Sequence, residues 1–338
     1  MEPLREYFLI LLSTPVYIVI IGIEILLSNY SHKKIYGWKD TTRNIYLMLL
    51  NSGVDILFRT VYLVILDYFY DRHLVSFGNV ITYWLLLLLL EDFLYYWLHR
   101  FDHEIRFFWA VHVTHHSSEH MNFTVGFRSS VFQPLYRFVY FIPLALLGFK
   151  PLDILFLYSA TQIWGILVHT ELIKKMGWLE NILVTPSHHR VHHASNPKYL
   201  DKNMGMFLII WDKMFGTFQP ELPAEHYQPI KYGLTQPLTR KTPLHIVFHE
   251  WKAIWQDLHR NDVTWKQKVA YLFGPPGWSH DGSRHTSEEL RQQENPLYNS
   301  NNRDVENRRD INVALPPTGK ESKSIPLIPP GSMYRATE

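Results

Sequence analysis

The sequence predicts an all-α, polytopic membrane protein of about four to five transmembrane or re-entrant helices that carries a histidine-rich cap on its cytoplasmic side. Three observations predict it. The 338 residues are 47% hydrophobic, and the apolar residues are blocked into long runs rather than scattered. Histidine clusters stand at the ends of those runs: His99 and His103, then His112, His115 and His116, then His189, His192 and His193. Lys33, Lys34, Lys39 and Arg43 gather between the first two runs, and an excess of Lys and Arg marks the cytoplasmic side.

Taken in order, residues 8–28 (FLILLSTPVYIVIIGIEILLS), Ile45 to Tyr70, and Val80 to Leu98 are each long enough to cross a hydrocarbon core of about 30 Å at about 1.5 Å per residue. The first run is expected to be retained. Arg5 is the only positive charge before it, and no small-x-small cleavage site follows. A second apolar block, Val131 to Val168, is interrupted by Gly148 and Pro151 and reads as a helical hairpin that dips in and returns. A buried core helix is the alternative for each segment. With the basic loop inside, the second run goes out and the third delivers His99 to the cytoplasmic face. The hairpin then returns His169 and the third cluster to the same face.

Pro243 to Leu272 has helical periodicity with Trp251, Trp255 and Trp265, and Gly274-Pro-Pro-Gly-Trp278 ends it in a turn. It reads as an amphipathic helix pair lying on the membrane or against the rest of the protein. From about Gln292 the composition turns to Asn, Arg, Glu, Ser and Pro, too polar to offset ordering entropy. The organisation expected is therefore N-terminal membrane helices over 1–78, a catalytic domain over 79–220, an amphipathic helical segment over 221–290 and a disordered tail over 291–338. No repeat of fixed period is visible beyond the clusters themselves.

The chain has no cysteine, which excludes disulfides, iron–sulfur clusters and thiolate metal sites. A net charge of +2, with the basic residues in loops flanking the apolar runs, gives nucleic-acid binding no support and makes lipid headgroups the neighbours of those charges. No Gly-rich nucleotide loop after a strand and no cytochrome haem motif is present, so electrons must come from an external donor.

On a helix, residues three and four apart share a face. His99 and His103 can therefore point at one place, as can His112 with His115 and His116, and His189 with His192 and His193. Imidazole suits zinc, copper, iron and nickel, and eight or nine such ligands exceed what one ion takes, implying two metal ions. Context favours a redox metal, iron, beside a lipid-facing pocket. A metal-dependent membrane hydrolase would use fewer histidines and a carboxylate ligand. A metal transporter would carry its ligands inside the spans, whereas these clusters are expected just beyond the span ends.

The HxxxH, HxxHH and HxxHH series between apolar hairpins resembles the fatty acid hydroxylase and sterol desaturase superfamily of integral-membrane diiron oxygenases, over roughly residues 45–220. Trp109-Ala-Val-His-Val-Thr-His-His-Ser-Ser-Glu119, His169-Thr-Glu171, Thr185-Pro-Ser-His-His-Arg-Val-His-His193, Asp201-Lys-Asn203 and Trp211-Asp-Lys-Met-Phe-Gly-Thr-Phe218 are similar to its alkylglycerol monooxygenase branch, as are Tyr232-Gly-Leu-Thr235 and Gly274-Pro-Pro-Gly-Trp278. The resemblance implies two iron ions, O2 as oxidant, a lipid substrate hydroxylated in that branch beside an ether oxygen, and tetrahydrobiopterin as external reductant. Sterol desaturases and hydroxylases and fatty-acyl hydroxylases share the same motifs. It implies His99, His103, His112, His115, His116, His189, His192 and His193 as iron ligands.

His169 is a candidate ninth ligand, or an interfacial histidine reaching out from the hairpin. His188, one position off the third cluster's face, is a candidate for supporting a ligand. Glu104 follows the second ligand, to orient an imidazole or handle protons, or simply to be solvated. Asp92 lies two turns before His99, where an acid at membrane depth needs a partner such as a ligand histidine; Glu91 is the alternative. Asn203 falls where the family has Asn-Tyr-Gly or Asn-Tyr-Ala, but here Met204 follows it, without the phenol. Glu119 and Glu171 match the branch pattern or are loop carboxylates. Tyr95, Tyr96, Trp97, Trp109 and Trp164 read as an aromatic belt. The membrane is expected to be a bacterial inner membrane or the endoplasmic reticulum.

Overall fold

The computed structural model describes residues 2–294, and among them there is no strand, only two isolated bridges, Leu183 with Leu208 and Ala194 with Tyr232. The chain is helical: α1 (Glu2–Tyr30), α2 (Trp38–Tyr70), α3 (Val80–Glu104), α4 (Arg106–His116), α5 (Phe123–Gly126), α6 (Pro134–Leu146), α7 (Pro151–Leu167), α8 (Pro186–His192), α9 (Ile210–Phe215), α10 (Pro243–Leu258), α11 (Trp265–Phe273) and α12 (Ser287–Glu294). Helix α12 takes in residues 291–294 of the predicted tail; the rest of that tail lies outside the described residues.

Among the described residues three helices are long and apolar enough to cross a membrane: Leu11–Tyr30 within α1, α2 and α3. Helices α6 and α7 are shorter apolar helices that form the expected hairpin. Gly148 is required at its turn, because it holds φ +95° and a Cβ there would meet the Val75 carbonyl oxygen at 2.0 Å. Leu74 N–H donates to Leu146 O at 2.8 Å, fastening the α2–α3 turn to that end of the hairpin.

One expectation needs correction. The third apolar run does not end before the histidines. Helix α3 starts on Asn79, whose side chain accepts from the Ile81 and Thr82 N–H groups, and continues unbroken until Ile105 turns extended. His99 and His103 therefore ride on the last turns of a helix of spanning length. The sequence contains no Pro or Gly between Leu98 and Ile105 that would stop it.

The core lies between α2, α3, α6 and α7, where Leu66, Leu87, Phe141, Leu144, Phe149 and Ile154 are fully or almost fully buried. In lipid such contacts act by close packing and polar pairing rather than by leaving water. Two buried polar ties join the spans. Glu24 of α1 accepts from Tyr36 Oη, Thr170 Oγ1 and, at 2.9 Å, the Phe123 N–H. Arg137 of α6 donates to Asp55 of α2 at 2.8 Å and to Tyr158 of α7 at 2.9 Å. The first tie joins α1 to the segment just beyond α7, and the second joins α6 to α2 and α7.

Candidate metal centre

The ends of α3 and α7, with α4 and α8, bring all nine predicted histidines together. His99 and His103 come from α3. Helix α4 follows after one extended residue and presents His112, His115 and His116. His169 stands two residues beyond α7, its N–H bonded to Ile166 O at 3.2 Å. Pro186 opens α8 behind a capping box of Thr185 and His188, and His189, His192 and the capping residue His193 follow. Two nests result. Five imidazoles, His99, His103, His112, His116 and His192, converge in one, and four, His115, His169, His189 and His193, in the other, with donor atoms inside each lying within 4.8 Å of one another.

Six of the rings are aimed by their other nitrogen, while His189 Nδ1 is buried without a hydrogen-bond partner. Nδ1 meets a backbone carbonyl in His99 (Met204 O, 2.7 Å), His115 (Arg128 O, 2.9 Å), His169 (Gly165 O, 2.7 Å) and His192 (Lys202 O, 3.0 Å). A carbonyl only accepts, so Nδ1 carries the proton and Nε2 keeps a bare lone pair. His103 Nδ1 lies 3.2 Å from Asp201 Oδ1, and His112 Nδ1 lies 3.1 Å from Ser130 Oγ.

The Nε2 atoms then face one another. Nε2 of His115 and His169 approach to 3.3 Å, those of His169 and His189 to 2.9 Å, and those of His99 and His112 to 3.1 Å. In the His115–His169 pair both Nδ1 atoms are held as donors by carbonyls, so two acceptors meet, and they repel unless a cation sits between them. Two nitrogens bound side by side on one ion at about 2.1 Å lie about 3 Å apart. Nε2 of His103 and of His192 are buried with no hydrogen-bond partner, which a metal ion would supply. The donor set therefore fits a metal centre with room for two ions.

Burial also keeps seven of these rings neutral. It pushes His115 down to about 4 and holds His112, His116, His169, His189, His192 and His193 well below the ordinary histidine range, with neighbouring imidazoles adding to the effect. Neutral imidazole is the metal-binding form.

The remaining expected residues take other places. Glu104 points away, its Oε1 accepting from Arg100 Nε at 2.8 Å on the exposed side of α3. Asp102, which the sequence reading passed over, is the buried acid instead. It accepts from Tyr136 Oη at 2.7 Å and Gln133 Nε2 at 2.8 Å and lies 3.8 Å from His112 Nδ1. The helix period explains this: position 102 is three past His99, while 104 is five past it and on another face.

Asp92 touches no histidine. It accepts from the Phe207 and Leu208 N–H groups at 3.0 Å each and from Trp211 Nε1 at 2.9 Å, so it anchors the loop whose Met204 carbonyl aims His99. Glu91 is fully buried beside it. Asn203 likewise acts on the backbone, donating to His188 O at 3.0 Å and Gln219 O at 2.8 Å. The Met204 side chain packs with Tyr96 and Trp211. His188 serves the α8 cap, its Nδ1 accepting from Thr185 N–H at 3.4 Å. Glu119 pairs with Lys241 at 2.6 Å, and Glu171 is raised above the usual carboxyl range by burial, against the pull of Lys33 and Arg190.

Asp201, within the Asp201-Lys-Asn203 motif, is a further acid at the site, 3.2 Å from His103 Nδ1. Burial works to raise its carboxyl, yet hydrogen bonds from His103 and Ser287 hold it below the usual range. A cavity of about 420 Å³ reaches the histidines, with His103, His116, His192 and His193 on one side. Its opposite wall comes from the C-terminal segment, including Thr235, Gln236, His249, Glu250, Gly277 and Arg284. Tyr232-Gly-Leu-Thr235 and the Gly-Pro-Pro-Gly turn were the sequence signals for that wall.

Residues 84–217 match the family model for fatty acid hydroxylase. The chain is 35% identical over 280 residues to an alkylglycerol monooxygenase of Danio rerio and 35% identical over 271 residues to that of Homo sapiens, in each case over 79% of this chain and 59% of the relative. It thus spans under two thirds of those relatives. An ornithine lipid hydroxylase of Rhizobium tropici is 34% identical over 140 residues, covering 40% of this chain and 42% of that protein. No solved structure matches the chain.

Proposed function

We propose, because residues 84–217 match the family model for fatty acid hydroxylase, that this chain is a membrane-bound diiron oxygenase that uses O2 to hydroxylate a lipid, acting on ether lipids as an alkylglycerol monooxygenase does. The observation that carries the reading is the pair of adjoining all-histidine nests, five and four imidazoles with no carboxylate in either. A hydrolytic zinc site would call for fewer nitrogens and an open water position. Two iron ions, when bound there, supply the activation of O2.

In this reading the chain's own residues do the rest. His99, His103, His112, His116 and His192 hold one ion, and His115, His169, His189 and His193 the other. Met204 O, Lys202 O, Arg128 O and Gly165 O fix the ring tautomers. Eight of the nine rings are buried and His115 is half-buried, which limits the access of water to their Nε2 atoms. The net reaction inserts one oxygen atom of O2 into a C–H bond and reduces the other to water with two electrons and two protons from an external donor. On a carbon beside an ether oxygen the product is a hemiacetal, which separates into an aldehyde and an alcohol. Tetrahydrobiopterin is the proposed donor, and the cavity walled by the C-terminal segment offers a route from the cap. Lys33, Lys34, Lys39 and Arg43 beside that cap support a cytoplasmic orientation.

The test is metal content by mass spectrometry on protein purified after iron-replete expression, followed by turnover of alkylglycerols, sterols and fatty acyl lipids under O2 with and without tetrahydrobiopterin. Two irons and pterin-dependent alkylglycerol loss support the reading. Two irons with turnover of sterols or acyl lipids alone would move the substrate; zinc alone would overturn the oxygenase.

A further inference from the structure

Helices α10 and α11 each leave an apolar stripe uncovered. On α10, Leu244, Phe248 and Trp255 are 68%, 46% and 60% exposed, and on α11, Trp265, Val269 and Phe273 are 77%, 42% and 55% exposed. The spacings, four and seven on α10 and four and four on α11, put each set on one helical face. The opposite face of α10 is packed: Ile246 and Val247 are buried in one cluster with Leu47 of α2 and Val131. Six large apolar side chains in water on two neighbouring helices call for a partner.

The level of these helices identifies it. Arg106, two residues beyond the end of α3, donates to Glu250 and Asp257 of α10, at 2.7 Å each, and to Tyr271 O of α11 at 3.2 Å. Both helices are thereby pinned where the third span ends. The α10 stripe also continues the faces that the spans turn outward. Phe248 meets the Phe132 ring at 5.8 Å, and Leu135 and Val139, farther along α6, are 40% and 51% exposed. Lys252 lies between Phe248 and Trp255, and Lys266 beside Trp265, both exposed. Tryptophan and lysine side by side on an apolar stripe suit the headgroup boundary.

We propose that α10 and α11 lie flat in the interface of the bilayer that α1, α2 and α3 cross, their stripes sunk among the lipids. The other side of α10 presents His249, Glu250 and Ala253 to the cavity beside the histidines. That one helix is then the partition between the lipid leaflet and the metal cavity. The inference does not depend on which reaction the centre performs.

The chain has no cysteine, so single labels report cleanly. Nitroxides are attached to Phe248→Cys, Trp255→Cys and Val269→Cys in the full chain, reconstituted in nanodiscs of phosphatidylcholine and phosphatidylglycerol. Asp262→Cys, in the loop joining the helices, is the aqueous control. Relaxation by O2, which concentrates in lipid, is compared with relaxation by a water-soluble nickel chelate. The expected result is an O2-to-nickel ratio inverted relative to position 262 at all three stripe positions. Nickel relaxation equal to the control would overturn the proposal. So would labels shielded from both reagents and dipolar-coupled between copies, which would mean that a second chain covers the stripe. All three sites are exposed, so each variant is expected to insert normally; as a label-free check, Trp255→Phe should reduce fluorescence quenching by brominated lipids, and unchanged quenching counts against the proposal.

Discussion

Replacing Asp201 with Asn should weaken metal binding in one nest and leave the other alone. Asp201 Oδ1 lies 3.2 Å from His103 Nδ1, and His103 belongs to the five-histidine nest. Asp201 also holds φ 52°, a left-handed conformation that Asn tolerates nearly as well. Asp201→Asn therefore keeps shape and backbone while removing the charge that supports the imidazole. Outer partners of this kind are worth about 10- to 100-fold in metal affinity, or about 1.4–2.8 kcal/mol. The amide oxygen can still accept from Nδ1–H, so Asp201→Asn is expected near the tenfold end. Asp201→Ala leaves that N–H without its acceptor and strains the backbone, and is expected near the hundredfold end. The assay is retained metal per chain against a chelator series, read by mass spectrometry. The wild type should release its metals over one range, whereas the variant releases one early and one at the wild-type position. Unchanged release, or equal weakening of both metals, would refute the argument that Asp201 acts through His103.

Other outcomes follow from the same contacts. His169→Ala should abolish metal in the four-histidine nest, while His188→Ala, which removes only a helix cap, should keep full metal content and cost about 1 kcal/mol of stability; metal analysis with thermal unfolding separates the two. Without metal, the fold should weaken below pH 6.5. His115 titrates near 4 when folded, against about 6.5 when unfolded. The unfolded chain therefore binds more protons throughout that window, and stability, complete above it, falls as pH drops from about 6.5 toward 4; thermal unfolding of the metal-free protein across that range checks it, and a flat profile contradicts it. Asp92→Ala strands three buried donors, at about 1–3 kcal/mol each, and should destabilise strongly. Glu104→Gln, losing only a surface pair with Arg100, should change stability by less than about 1 kcal/mol and leave metal content intact.

The spans and the histidine convergence were legible because both rest on local periodicity. Apolar runs of sufficient length define helices wherever they pack, and spacings of three and four put His99 with His103, or His189 with His192, on one face before any tertiary contact is known. What surrounds the rings was not legible in the same way. Four of the six Nδ1 anchors are backbone carbonyls, which every residue possesses, so no side-chain pattern marks them. Asp92 reads in the sequence as an acid needing a partner such as a ligand histidine, but its partners are two N–H groups and an indole more than 100 residues later. Asp102 was within reach of the helix period that located the histidines. The cavity wall was not, since it joins α4 to residues beyond 230 through long-range contacts alone.

The loop 201–205 explains how a chain with no strand among its described residues holds so many rings in register. It supplies three anchors to one nest: the Asp201 carboxylate to His103, Lys202 O to His192 and Met204 O to His99. Positive φ at Asp201 and Asn203 turns successive groups toward the nest. The loop is clamped from outside its own segment. Asp212 accepts from Met204 N–H at 2.7 Å and Gly205 N–H at 2.8 Å, and Gly165 of α7 leaves space where a Cβ would meet Met206 Sδ at 2.3 Å. Arg291 of α12 donates to Leu200 O at 2.7 Å, so the C-terminal helix holds the same loop from the cap side. Because the anchoring at Met204 is through its carbonyl, the phenol absent at that position is not needed to aim His99. The loop thus separates two tasks: backbone groups orient the metal ligands, and side chains such as Met204 are left free to fill the hydrophobic space beneath them.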